Sequence, residues 1–482
     1  MIDYNTMLKN EIDGLFNSNI TSKISQINKW YSIYEGDQKW ITNDAALDYI
    51  PTKKITNLIK KLIDTRARFM FGKEPYFNII STTADAKGST TNQDQAQLKE
   101  DLLYKILDAN KFHSKLLKAR KDCSIGGKCA IKLFADKKEG LKIIFAPSQE
   151  FFCQTDLDDI DILEKVIFLY QLNDEVERIN QRIKMQKWEM VSGKCILNET
   201  LYNGDGLALA KDYEDYNTGL DFIPVIIIQN GGLTGELEGK SDVEQLWDNQ
   251  FCYNKMTSDD IDAIKFQMFG QDVVTDATED SIKNIKIAPS ALVDLQSEGE
   301  SKQASMTRLE SGFSYSDKFK DTVDRIKSDM YQTLDIPNVS MEQLQGVMTS
   351  GKSIKALYWS LISACEEDKT EWIPALNQMA EYIFNMIDVY NLYNSRMIAK
   401  YPTSLTIEHS YPIPEDEADS KRLDLEEVVA EVRSRKSYIK KWQEVNDIDE
   451  ELAQIQLEKQ MLSDSFGQAI NTEINTEVKT NE

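Results

Sequence analysis

"GVMTSGKS", Gly346–Ser353, satisfies Gly-x-x-x-x-Gly-Lys-Ser/Thr letter for letter, the pattern of a loop whose backbone amides cradle phosphate. A working phosphate loop needs a buried strand leading into the glycine turn and a helix N-terminus leaving it. It would make this an α/β protein built on a parallel sheet. The preceding residues, "NVSMEQLQ" (338–345), are polar and hold no run of four apolar residues, so the strand is missing. A magnesium carboxylate should end another apolar strand, and the candidate, Asp388 in "YIFNMIDVY", falls inside a helical stripe. This disfavours a nucleotide hydrolase using Lys352 and Ser353. The other reading is a loop built on Gly346, Thr349, Ser350 and Gly351, with Ser350 or Ser353 capping the helix behind it.

That helix is the longest pattern in the chain. In "SIKALYWSLISACEEDKTEWIPALNQMAEYIFNMIDVYNLY" the apolar residues include Leu357, Leu361, Trp372, Leu376, Met379, Ile383, Met386 and Tyr390. Pro374 lies within it and is expected to kink it, because proline removes a hydrogen bond and crowds the preceding turn. Ahead of the loop, Phe319, Val323, Ile326, Met330 and Leu334 form a stripe at three- and four-residue steps. Earlier still, Ser241 and Glu244 make a capping box opening a helix that meets no Pro or Gly until Gly270. Between these two helices, residues 270–312 read as a small insert with strands at "QDVVTD" and "ALVDLQ" and a flexible "SEGESKQAS".

The first half mixes helix and sheet. Ile24, Ile27, Tyr31 and Tyr34 mark one helix, stopped by "EGDQ"; Leu58, Leu62, Thr65 and Phe69 mark a second, stopped by Gly72 and Pro75. Lys60, Lys61, Arg66 and Arg68 make the remainder of the second helix basic, read as a solvated or interface face. Residues 84–96 read as a polar loop, and "LKEDLLYKILDANKFHSKLLKARKDCSI" as one helix. "CAIKLF", "LKIIFA", "KVIFLYQL", "IKMQKWEMV", "CILNETLY" and "FIPVIIIQN" are then short β-branched or aromatic runs between Gly, Asn and Asp clusters, as in an antiparallel sheet. Near the end come a strand-like "SLTIEHSY", a turn "PIPEDEAD", charged helix over Ser420–Leu462 and a tail of disordered composition.

At 482 residues the chain is expected to fold as several packed units. With 41% hydrophobic and 28% charged residues, no apolar stretch near the roughly 20 needed to span a bilayer, and no visible secretory signal, it reads as soluble, with no membrane partner. Six cysteines without a Cys-x-x-Cys pair read as packing thiols. His113 and His409 are the only histidines, which leaves little for a zinc site or a Ser-His-Asp triad. Asp259, Asp260 and Asp262 read as a solvated helix face rather than metal ligands. No catalytic, cofactor-binding or metal residue is assigned. The net charge of −24 speaks against a protein that grips nucleic acid. It suits one that lets DNA slide past an acidic wall.

Taken in order, "WYSIYEGDQ", "NLIKKLIDTRARFMFGKEPYF", "IPNVSMEQLQGVMTSGKSIKALYW" and "RSRKSYIKKWQEVNDIDEELAQIQLEKQ" resemble the portal proteins of tailed double-stranded-DNA bacteriophages of Gram-positive hosts. The resemblance covers nearly the whole chain. It implies an α+β, portal-like fold, mainly helical, with a β-rich wing, antiparallel stem helices, a small α/β clip, a long kinked helix and a helical crown. On this sequence the wing is residues 1–240, the stem helices 241–268 and 313–335, the clip 269–312 and the tunnel loop 336–353. The long kinked helix and the rest of the wing occupy 354–411, the crown 412–465 and a flexible tail 466–482. The resemblance implies that Gln345, Gly346, Val347, Met348, Thr349, Ser350, Gly351 and Lys352 face DNA. It further implies a homo-oligomeric ring, usually dodecameric, at a capsid vertex of the virion, assembled in the bacterial host cytoplasm. Implied partners are the terminase large subunit, a head-completion or adaptor protein, the major capsid and scaffolding proteins, and the DNA in the channel. Another capsid or scaffold component is the remaining alternative.

Overall fold

The structure, a computed structural model, describes residues 4–9, 11, 20–40, 49–82, 90–136, 140–156, 158–173, 175–268, 271–283, 295–297, 299, 303–309, 314–339, 351–413, 417–430, 432, 438–439, 442 and 451–458. It is an α+β chain in two compact units. One comprises residues 1–339 and 357–412, the other 340–356 and 413–482.

The helices of the first unit's N-terminal part are α1 (Tyr4–Leu8), α2 (Ile20–Glu35), α3 (Leu58–Phe71), α4 (Thr90–Ala109) and α5 (Phe112–Gly126). The helix expected across residues 98–125 is therefore two, and α4 begins inside the stretch expected to be loop. The break has a tertiary cause. Asn110 donates to the carbonyls of Ile106 and Leu141, both at 2.9 Å, and accepts the Ile143 amide at 2.8 Å. Its side chain thus ends α4 while pinning a strand edge, and Lys111 turns left-handed at φ 51° before α5 starts.

The strand-rich region forms two antiparallel sheets. β2 (Lys128–Asp136) is central between β3 (Gly140–Pro147) and β9 (Val225–Gln229). The first six residues of β2 are all buried, as expected of a strand covered on both faces. β4 (Phe151–Thr155), β5 (Leu163–Gln171), β6 (Ile183–Val191), β7 (Lys194–Tyr202) and β8 (Ala208–Asn217) follow one another as a meander. Ser192 and Gly193, at φ 51° and 74°, make the two-residue β6–β7 turn closed by the pair Val191 and Lys194. Two positive φ values in such a turn match the right-handed twist of the strands it joins.

α6 (Asp242–Met268) then leaves the sheets and α8 (Ser316–Thr333) packs back against it. Between them lie β10 (Gln271–Thr275), α7 (Glu279–Lys283) and β11 (Ser305–Leu309), with β10 and β11 antiparallel. β10 matches the expected "QDVVTD". Its partner is "SMTRL" rather than "ALVDLQ", of which Leu295 and Gln296 are not strand and the rest lies outside the described residues. β11 alternates small or charged with apolar residues and is recognisable only through its pairing.

The long helical pattern begins as α9 (Gly351–Leu357), breaks at Tyr358 and continues as α10 (Trp359–Tyr390) with Pro374 inside. The Tyr358 ring stacks on Phe69 at 5.7 Å. After α11 (Arg396–Ala399), β12 (Thr403–Glu408) pairs with β1 (Tyr76–Ser81), joining segments more than 300 residues apart. α10 buries Trp372, Leu376, Met379, Ile383 and Ile387; Trp372 meets Phe71 edge-on at 5.0 Å. The core of the first unit lies where α3, α5, β2 and α10 meet. In the second unit, α12 (Glu417–Val429) carries Asp424, which accepts the Trp442 indole N–H at 3.1 Å.

Candidate functional site

Most of the stretch that precedes the Gly-Lys-Ser pattern, residues 340–345, lies outside the described residues. Among the described residues no strand lies between Leu309 of β11 and Gly351. Gln345, Gly346, Val347, Met348, Thr349 and Ser350 lie outside the described residues; Gly351 and Lys352 open α9. The chain enters this stretch from a fixed point. α8 closes with Asp335 left-handed at φ 58°, the Ile336 amide reaching the Tyr331 carbonyl at 2.9 Å and the Asp335 amide the Gln332 carbonyl at 3.0 Å. That six-to-one bond, with Ile336 buried behind it, is a helix-ending motif.

Asp388 is a helical surface residue of α10, not the end of a strand. The hydrogen bond from Arg396 at 2.6 Å, supported by Lys400 at 3.3 Å, holds its carboxyl below the usual range. The aspartates of "SDDID" diverge. Asp259 is exposed, Asp260 accepts from the Tyr315 hydroxyl at 3.4 Å, and Asp262 binds the backbone and hydroxyl of Thr52. Among the described residues no three His, Cys, Asp or Glu side chains are grouped to hold a metal.

The histidines, 296 positions apart, converge on one structural task. His113 contacts the Phe71 carbonyl at 2.8 Å and His409 the Met70 carbonyl, so both meet carbonyls at the C-terminal end of α3. Burial holds the His409 imidazole below its ordinary pKa. The basic residues of α3 make contacts within the unit while Lys61 and Arg68 stay exposed. Arg66 makes a forked bond to Asp368, Lys60 pairs with Glu35 at 3.0 Å, and Arg68 donates to the Asp64 carbonyl. Asp368 also receives the fully buried Arg120 at 2.7 Å. Burial alone would raise the Asp368 carboxyl; the two guanidiniums outweigh it and hold it low.

The most ordered polar array lies on α6. Gln250, Asn254, Ser258 and Asp262, one turn apart, are all buried beneath residues 52–57, which are neither helix nor strand, and Leu58 at the start of α3. The amides of Leu58, Thr56, Lys54 and Thr52 donate to them in turn, at 2.9, 3.0, 2.9 and 2.8 Å. Two residues of extended chain advance about 6.7 Å and four of helix about 6.0 Å, so rungs recur in near step. Pro51 precedes the first donor, Thr52, so its missing N–H costs no rung. The residues one step beyond either end, Leu246 and Phe266, offer no acceptor, and the register is unique. This strap binds α6 to the segment leading into α3. The sequence signal is a stripe of four hydrogen-bonding residues at i, i+4 spacing.

α6 begins as its capping box implies. The Glu244 amide donates to Ser241 Oγ at 3.3 Å, while the Glu244 carboxylate receives Gln26 instead of closing the box. On the side of α6 turned toward α8, Asp260, Ile264, Phe319 and Val323 line an open groove of about 660 Å³.

The helices α6 and α8 thus carry a small α/β insert, on a sheet-rich body in a strongly acidic chain. The family model for phage portal protein, SPP1 Gp6-like, matches residues 14–465 of 482. The chain belongs to this family of phage portal proteins. A comparison with curated proteins finds no significant match. The portal is a structural virion protein of bacteriophage DNA packaging, and its family implies a ring oligomer with packaging and capsid partners. Among the described residues no helix is long and apolar enough to cross a membrane.

Proposed function

We propose that this portal forms a ring, dodecameric as is usual for such proteins, whose central channel passes double-stranded DNA into and out of the capsid at one vertex. In this reading α6 and α8, within 241–268 and 313–335, are the stem, 269–312 is the clip, 1–240 with 354–411 the wing and 412–465 the crown. The clip docks the terminase large subunit during packaging and a head-completion or adaptor protein afterwards. The wing and crown face the major capsid and scaffolding proteins, and assembly takes place in the host cytoplasm. Residues 336–353 form the tunnel loop, with Gln345–Lys352 toward DNA. Pro374 bends the long helix by denying Thr370 its helical hydrogen bond.

The observation that carries this reading is the α6–α8 pair with its β10–β11 insert. It leaves an apolar groove open along its flank, as a subunit does when a neighbour completes it. Imaging the purified assembly down its symmetry axis tests it, with one annulus and a central channel expected. A strictly monomeric protein at high concentration, with no ring in capsids either, overturns it. The portal itself hydrolyses no nucleotide in this reading, so Lys352→Ala changes no ATP turnover. Val347→Gly with Met348→Gly leaves ring assembly intact and alters DNA retention; loss of assembly refutes a channel-facing loop.

A further inference from the structure

The foot of the strap joins exposed apolar residues to lysine, and the α6–α8 groove joins apolar residues to aspartate. Tyr49 packs edge-on against Phe266 at 4.8 Å, and beside them Ile50 is 89% and Phe266 52% exposed. Together they form an apolar knob in an acidic protein. The exposed Lys53 and Lys54 follow it directly. The groove has an apolar floor of Ile264, Phe319 and Val323, with Asp260 and Asp324 on its rim and Lys320 beside them.

We propose that the knob of one subunit, Tyr49, Ile50 and Phe266, seats in the α6–α8 groove of the next copy of this chain, with Lys54 against Asp260 and Asp324. The inference rests on the ring reading above, and two geometric features support it. Strap and groove use opposite sides of α6: Asp262 holds the strap while Asp260 and Ile264 line the groove, and two residues are about 200° apart around a helix. A knob on one side and a socket on the other make a head-to-tail contact, the kind that closes rings. The α6 residues of both features lie between 260 and 266, within about 9 Å along the helix axis. Rotation about a ring axis involves no translation along it, so mating surfaces must share a height, a condition these two meet where α6 runs along that axis. The strap's polar ladder holds the knob at that height in every subunit.

The test uses the full chain with Cys252→Ser, which removes the exposed cysteine, and adds Ile50→Cys and Val323→Cys together. A short bismaleimide applied to assembled protein should produce a ladder of covalent multimers, absent from each single variant. Rings seen by imaging without such a ladder overturn the knob-and-groove contact and leave the ring reading standing. Absence of rings from the Cys252→Ser parent and the native chain alike overturns both. In parallel, Ile50→Asp should lower ring yield at least tenfold with an unchanged circular dichroism spectrum, because Ile50 is exposed within a subunit. Unchanged yield refutes the proposal. Lys54→Glu should lower yield similarly and Asp324→Lys in the same chain should restore it; failure of that rescue counts against the charge pairing.

Discussion

Asn254→Leu tests whether the strap is held by the polar ladder or only by contact. Asn254 is 1% exposed; its oxygen accepts the Thr56 amide and the Gln250 amide, both at 3.0 Å, and its nitrogen donates to Gln38 at 2.8 Å. Leucine is close in size but offers neither partner. Gln250 keeps its bond to the Thr56 carbonyl at 2.8 Å, so two groups lose their partner: the Thr56 N–H and the Gln38 oxygen. Each buried orphan costs about 1–3 kcal/mol, and burying leucine instead of asparagine returns about 1–2 kcal/mol. The net loss of about 2 kcal/mol falls on a segment that can open without global unfolding, and corresponds to about 30-fold faster amide exchange. Hydrogen exchange read by mass spectrometry over peptides spanning 49–58 should show that acceleration, while peptides from β5 and β6 remain unchanged. Exchange over 49–58 within twofold of the native chain would refute the ladder as the source of strap stability.

Three further outcomes follow from buried charge and backbone geometry. Asp368→Asn strips the counter-charge from fully buried Arg120 and should cost about 3–5 kcal/mol in chemical denaturation; because Asp368 is held below its ordinary carboxyl range, its stabilisation is present above that range and lost as pH falls through its lowered folded value. Asp122 behaves oppositely: burial, opposed by the Tyr31 hydroxyl, raises it from 3.8 to about 6, so its contribution is fully present below 3.8 and lost as pH rises through about 6. Asp122→Asn should therefore stabilise the protein by up to about 3 kcal/mol at pH 8 and leave stability at pH 3.5 unchanged, as read from the denaturation midpoint. Gly127 sits at φ 82° with the Gly239 carbonyl oxygen 2.6 Å from where a Cβ would stand; Gly127→Ala should lower stability by about 2–5 kcal/mol from left-handed strain plus overpacking, measured by thermal unfolding.

Much of the fold is legible wherever local pattern and tertiary demand agree. The runs from "CAIKLF" to "FIPVIIIQN" are strands because β-branched residues alternate between short turns, and α6 starts where Ser241 promises it. The phosphate loop fails for a reason visible in "NVSMEQLQ", which cannot form a buried strand. Misreadings occur where a distant partner decides. Asn110 looks like any polar residue in a helical run until Leu141 and Ile143 arrive to use its amide. β11 is strand because Gln271–Thr275 lies beside it, and β1 pairs with β12 across an interval no periodicity spans. The i, i+4 stripe on α6 was visible, but a polar stripe ordinarily faces water, and only an adjacent unpaired extended segment reverses that reading.

The ladder belongs to a wider habit of this chain, in which helix side chains satisfy exposed backbone edges. Tyr104 and Glu100 of α4, one turn apart, receive the Phe77 and Ile79 amides of β1 at 2.9 and 3.0 Å. Asn110 and Lys115 serve β3, Lys115 donating to the Ile143 carbonyl at 2.7 Å. An extended edge left open is a template for unwanted pairing. Closing edges with side chains leaves specific surfaces for association and removes the non-specific ones. The same economy governs charge. Arg66, Arg120, Lys121, Lys128 and Lys187 are tied to carboxylates within the first unit, so cations that elsewhere would bind phosphate are occupied internally. Each such pair is neutral, and the chain's formal charge of −24 is carried by the carboxylates left over. In the proposed tunnel loop Lys352 would be a local contact against a repelling wall, suited to a strand that must move and ill suited to one that must be gripped.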